Sequence, residues 1–113
     1  MASRRQRPAV GEPMLELIPG TARRRGPLRI LCLGAHCDDI DIGCGGTLMK
    51  LLSRGGPWEV TWVVLSSDEV RGRELRSSAR RFLRGASRAD VLTFGFKDTY
   101  FPAEYAAIKK TFE

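Results

Sequence analysis

Three apolar runs of strand length, Leu28–Leu33, Trp58–Leu65 and Val91–Phe96, set the plan of this chain. Each is followed by a stretch with helical spacing. Gly46–Ser53 places Leu48, Leu51 and Leu52 on one face and stops at Gly55-Gly56. Arg71–Leu83 carries Leu75, Ala79, Phe82 and Leu83 as an apolar stripe. Glu104–Phe112 reads as a third helix. The first run is continuously apolar, as in strands covered on both faces, and the second is rich in β-branched and aromatic residues. The order β-α-β-α-β-α predicts an α/β fold with a parallel sheet and right-handed crossovers. Such sheets bind ligands beyond the carboxyl ends of their strands.

The 113 residues suffice for one small domain, and 42% hydrophobic residues argue against a chain disordered throughout. The net charge of +6 invites a nucleic-acid reading. Its distribution speaks against one. Residues 1–29 hold seven arginines and two glutamates, so the remainder is close to neutral. Residues 1–27 form a basic, partly disordered leader in this reading, with one apolar patch at Met14–Ile18 that could lie against the body. Residues 28–113 form the folded part. No run approaches the roughly 20 apolar residues that span a bilayer, and the leader lacks the apolar core of a secretory signal. Cys32, Cys37 and Cys44 are odd in number and closely spaced, which fits free thiols in a reducing cytoplasm.

Residues 34–46 concentrate the chemistry. Past Gly34 come the single histidine of the chain, His36, then Asp38, Asp39 and Asp41, then glycines. His36 and Asp39 stand three apart, a spacing that lets an imidazole nitrogen and a carboxylate oxygen address one centre in a turn leaving a strand. Both atom types bind Zn²⁺ at about 2.0–2.2 Å. Asp38 projects differently from Asp39 and could take a proton from water as a general base. Asp41 is expected behind them, orienting a ligand or meeting the positive end of the following helix. Each residue alone also fits a hydrogen-bonded histidine and a solvated turn. Their concentration at the exit of the first strand favours a site.

The element Gly-Ala-His-Cys-Asp-Asp-Ile-Asp-Ile-Gly-Cys-Gly-Gly (34–46) resembles A-H-P-D-D-x-E-x-G-x-G-G of the PIG-L/LmbE-like zinc-dependent de-N-acetylases. These remove an N-acetyl group from N-acetylglucosamine-type sugar conjugates. The likeness continues through Val63–Ser67, through Arg71-Gly-Arg-Glu74, similar to an R-x-x-E element, and through Gly95–Asp98 with Tyr100-Phe-Pro, similar to F-x-D-G. It implies a three-layer Rossmann-like sandwich with a mainly parallel sheet. It implies His36 and Asp39 as metal ligands, Asp38 as the base, and Arg71 and Asp98 in the sugar pocket. Arg71 could equally form an i, i+3 ion pair with Glu74.

Three departures temper that resemblance. Cys37 replaces proline, Asp41 replaces glutamate, and no second histidine exists to complete three protein ligands. The expectations are therefore an apparently C-terminally truncated domain, an incomplete zinc site and impaired hydrolysis of a small-molecule sugar conjugate, without nucleic acid or membrane. A non-catalytic binding or scaffold domain and a magnesium-dependent phosphohydrolase are the alternatives. Tyr100, Phe101, Pro102 and Phe112 either pack locally or, if exposed, favour a homo-oligomer.

Overall fold

The structure, a computed structural model, describes residues 26–113. The expected leader, apart from Gly26 and Pro27, lies outside them. Strands β1 (Leu28–Gly34), β2 (Trp58–Val64) and β3 (Arg88–Thr93) alternate with helices α1 (Asp39–Ser53), α2 (Glu69–Phe82) and α3 (Tyr105–Phe112). A 3-10 turn over Phe101–Glu104 leads into α3. The sheet is parallel throughout, in the order β1-β2-β3. This is the expected α/β, Rossmann-like arrangement.

The core lies between the sheet and the α1/α2 layer. Trp58, Val60, Trp62 and Val64 alternate along β2 toward it, with Cys32 from β1 beside them. Ile40, Leu48 and Leu52 of α1 and Leu75, Ala79 and Leu83 from α2 and its C-terminal end close the other side. Burying each aliphatic side chain of this size contributes about 1.5–3 kcal/mol. Alternation along β2 carries both helices to one face, as right-handed crossovers between neighbouring strands require. The described residues thus supply two layers of the sandwich. On the opposite face Leu31, Leu33 and Leu92 remain exposed.

Two elements, α1 and β3, depart from expectation by three residues or more. Helix α1 begins at Asp39 rather than Gly46, and so takes in Gly43, Gly45 and Gly46. Gly45 is required there by packing: a Cβ would stand 2.6 Å from Cε1 of Phe82. Strand β3 starts earlier, at Arg88, because pairing with β2 governs it: Glu59 pairs with Arg88 and Val64 with Thr93. The charged Arg88 and Asp90 are tolerated at this edge, where Nε and Oδ2 form a 3.1 Å ion pair. Beyond the strand, the N–H groups of Phe94 and Phe96 still donate to the carbonyls of Val64 and Leu65, at 2.9 and 3.1 Å.

Candidate functional site

The exit of β1 is tight. A Cβ at Gly34 would meet Cγ1 of Ile40 at 3.1 Å and the carbonyl of His36 at 3.3 Å, so glycine lets the chain turn straight into α1. The turn is then pinned from within. The His36 backbone N–H donates to Oδ2 of Asp39 at 2.8 Å, and the Asp39 N–H donates back to the His36 carbonyl at 3.3 Å. Gly34 and Ala35 accept from the N–H groups of Leu65 and Ser66, which fixes this exit against the end of β2.

The His36 ring faces a carboxylate on each side. Nδ1 lies 3.5 Å from Oδ2 of Asp39, and Nε2 lies 2.7 Å from Oδ1 of Asp98. Phe101 stacks on the ring at a centroid distance of 6.2 Å with planes 18° apart. The hydrogen bond to Asp98 is the main cause raising the His36 pKa above its ordinary value; the charges of Asp98 and Asp39 act in the same sense. Asp98 is lowered in turn, chiefly by that hydrogen bond, then by the His36 charge, the Thr99 N–H and the Arg71 charge. Thr99 holds φ at +67°, an unusual value for a β-branched residue, while its N–H donates to Asp98 Oδ1 at 2.8 Å.

His36, Cys37, Asp38 and Asp41 line one wall of an open cleft of about 400 Å³, and Arg71, Glu74, Leu75 and Ser78 of α2 line the other. Asp38 is the N-cap position of α1, yet its side chain makes no capping bond and is exposed. Arg71 pairs with Asp68, Nε to Oδ2 at 3.8 Å, rather than with Glu74, and Asp68 also caps α2 by accepting from the Arg71 N–H at 2.7 Å. Asp41 Oδ2 accepts from Ser78 Oγ at 2.7 Å and ties α1 to α2, while its Oδ1 is buried without a partner. Cys37 Sγ lies 3.4 Å from Ser67 Oγ and 3.7 Å from the Ser66 carbonyl oxygen, at the end of β2.

The structure therefore brings His36, Asp39 and Asp98 together, and His36, Asp38, Asp41 and Arg71 around one cleft. Asp98, expected among sugar contacts, sits against the imidazole. Ser78, Asp68 and Phe101 as ring partner were not singled out in the sequence, where nothing links Ser78 to Asp41 across thirty-seven residues.

A metal ion would find two donors here. Two atoms each about 2.0–2.2 Å from a tetrahedral zinc lie roughly 3.4 Å apart, close to the His36–Asp39 separation. The second ring nitrogen, bonded to a carboxylate, matches the usual support of a metal-binding histidine. Among the described residues, however, no group of three His, Cys, Asp or Glu side chains is arranged to hold a metal ion. Nor, among them, is any helix long and apolar enough to cross a membrane.

No protein-family model matches the chain. Among solved structures it resembles the N,N'-diacetylchitobiose deacetylase of Pyrococcus horikoshii, determined with its inhibitor MPG. The TM-score is 0.54 and the sequence identity 28%, over 74% of this chain and 34% of that enzyme. The chain thus spans about a third of the length of a deacetylase that shares its fold.

Proposed function

We propose that this chain carries the water-activating part of a metal-dependent de-N-acetylase site of the PIG-L/LmbE type, directed at an N-acetylglucosamine-type sugar conjugate. The observation that carries this reading is the His36 ring held between Asp39 and Asp98 beside a cleft lined by Asp38, Asp41, Arg71 and Glu74. Resemblance to a diacetylchitobiose deacetylase supports the reaction class. His36 Nδ1 and Asp39 Oδ2 are the donors that would hold a zinc or similar ion. When bound, such an ion polarises an acetamide carbonyl and acidifies water.

The residues of the chain do the rest. With Nε2–H donated to Asp98, the ring keeps the Nδ1 lone pair toward Asp39, and its orientation is fixed before any ligand arrives. Asp38, free of capping duty and facing the cleft, accepts the proton of the attacking water and can return it to the departing amine. Arg71, mostly exposed across the cleft, offers a planar fork to hydroxyl or phosphate oxygens of the conjugate. Asp41, bonded to Ser78, keeps the two walls at their spacing.

With two donors among the described residues, turnover by this chain alone is expected to be poor. Titration calorimetry with Zn²⁺ and an acetate-release assay on N,N'-diacetylchitobiose test the reading together. Expected are zinc binding that Asp39→Asn abolishes, and hydrolysis far below that of a complete zinc enzyme. Absence of zinc binding would sink the metal site and favour a non-catalytic binding domain. Rapid hydrolysis would overturn the ligand deficit.

A further inference from the structure

Asp39 and Asp98 meet the imidazole of His36 at its edge, 3.5 Å from Nδ1 and 2.7 Å from Nε2. Neither carboxylate covers a face of the ring. A tilt of the imidazole out of its plane is opposed directly only by a group on that face. Phe101 stands there, its ring stacked on the imidazole with centroids 6.2 Å apart and planes 18° apart. The other aromatic side chains of this stretch are engaged elsewhere. Phe94 stacks on Phe96 at 6.1 Å, and Lys97 Nζ lies 4.2 Å over the centre of the Tyr100 ring.

Core packing does not explain where Phe101 sits. It is half-buried, and it belongs neither to the core cluster nor to the side chains packed against that cluster. No residue of the 3-10 turn or of α3 is buried. Its seat is nevertheless firm. The Tyr100 N–H donates to the Lys97 carbonyl at 3.1 Å, and the N–H groups of Ala103 and Glu104 donate to the Tyr100 carbonyl at 2.9 and 3.2 Å. The Lys97 N–H donates to Oε2 of Glu104 at 3.3 Å and closes the stretch on itself. Pro102 restricts the backbone directly after Phe101.

One short stretch thus brings two partners to one ring. Asp98 and Phe101 stand three residues apart, with Thr99 at φ +67° between them, and reach the imidazole at its edge and on its face. Near-parallel rings within about 4.5–7 Å attract each other beyond the area they bury. Orientation counts at such a site because the nitrogen lone pair lies in the ring plane. A tilt of more than about 10–20° takes Nδ1 out of line with any centre it shares with Asp39. Groups that orient a metal-binding histidine without touching the metal change its affinity by about 10–100-fold.

We propose that Phe101 is a positioning residue of the site: its ring sets the plane in which His36 presents Nδ1 beside Asp39. The use of that orientation in hydrolysis rests on the deacetylase reading, whereas the stacking itself belongs to the metal-free protein.

The test compares the full chain with F101L, which keeps apolar bulk without a ring face, and F101Y, which keeps the ring. F112L, at an exposed aromatic residue of α3, is the control. NMR of the metal-free protein should show nuclear Overhauser contacts between the ring protons of Phe101 and His36. Carbon-13 relaxation of the imidazole should report a rigid ring that loosens in F101L but not in F101Y or F112L. Zinc affinity by titration calorimetry should fall about tenfold in F101L and return to within about threefold of the original in F101Y. An imidazole equally ordered in F101L, or zinc bound as tightly by F101L, would overturn the proposal. Absence of the Overhauser contacts in the unaltered protein would overturn it even if F101L did not fold. A chain that binds no zinc at all would count against the metal reading alone, and the ring measurements would still decide the role of Phe101.

Discussion

Asp98 Oδ1 lies 2.7 Å from His36 Nε2 across a sequence separation of 62 residues, and this contact sets the properties of the ring. Asp98 comes from the turn after the last strand, so the site forms only when the sheet is complete through β3.

The ring therefore titrates differently with and without that partner. A hydrogen bond and a negative charge both favour the imidazolium, so in metal-free protein the His36 midpoint lies above its ordinary 6.5. Asp98→Asn removes the charge and should move the midpoint down, followed by the His36 ring proton shifts in NMR. An unchanged midpoint would show that the contact does not persist in solution.

Gly45 and Gly46 are neighbours in α1 with opposite constraints. At Gly46 a Cβ meets nothing within 4 Å, so Gly46→Ala should stabilise the protein by about 0.5–1 kcal/mol through helix propensity. Gly45→Ala drives a methyl into the Phe82 ring. Overpacking of about 1–3 kcal/mol should outweigh the same propensity gain. Urea unfolding midpoints of the two variants should move in opposite directions.

Thr99 is held at φ +67° beside Asp98. A β-branched residue pays about 1–2 kcal/mol in this region, more than the entropic cost of glycine. Thr99→Gly should raise the melting temperature by a few degrees while leaving the His36 titration intact. A lower melting temperature would mean that the Thr99 side chain contributes packing that outweighs its backbone strain.

Cys32 faces the core and Cys44 lies beside it. Burial first, and then the neighbouring thiol, push the Cys32 pKa up to about 11. Its thiolate is scarce at pH 8, so iodoacetamide should label half-buried Cys37 and Cys44 in the native protein and reach Cys32 only on unfolding. Peptide mass mapping with and without urea distinguishes these outcomes.

Periodicity was enough to reveal the alternation of strands and helices, because buried residues repeat at two positions in β2 and at three to four in α2. It was not enough for the start of α1. Glycines at 43, 45 and 46 argue locally against helix, and only the Phe82 ring, packed from another helix, explains Gly45. The limits of β3 were equally hidden, since its register comes from β2 and not from its own residues. His36 and Asp39 were legible because their contact spans one turn. The Asp98 and Ser78 contacts depend on tertiary placement, which no local pattern displays.

The guanidinium of Arg76 also makes the two edges of this sheet unlike. It occupies a carbonyl on the free edge of β3 that an incoming strand would need. At the other edge, among the described residues, no side chain donates to the backbone of β1. The β1 edge is thus the more open of the two, and its carboxyl end leads directly to His36.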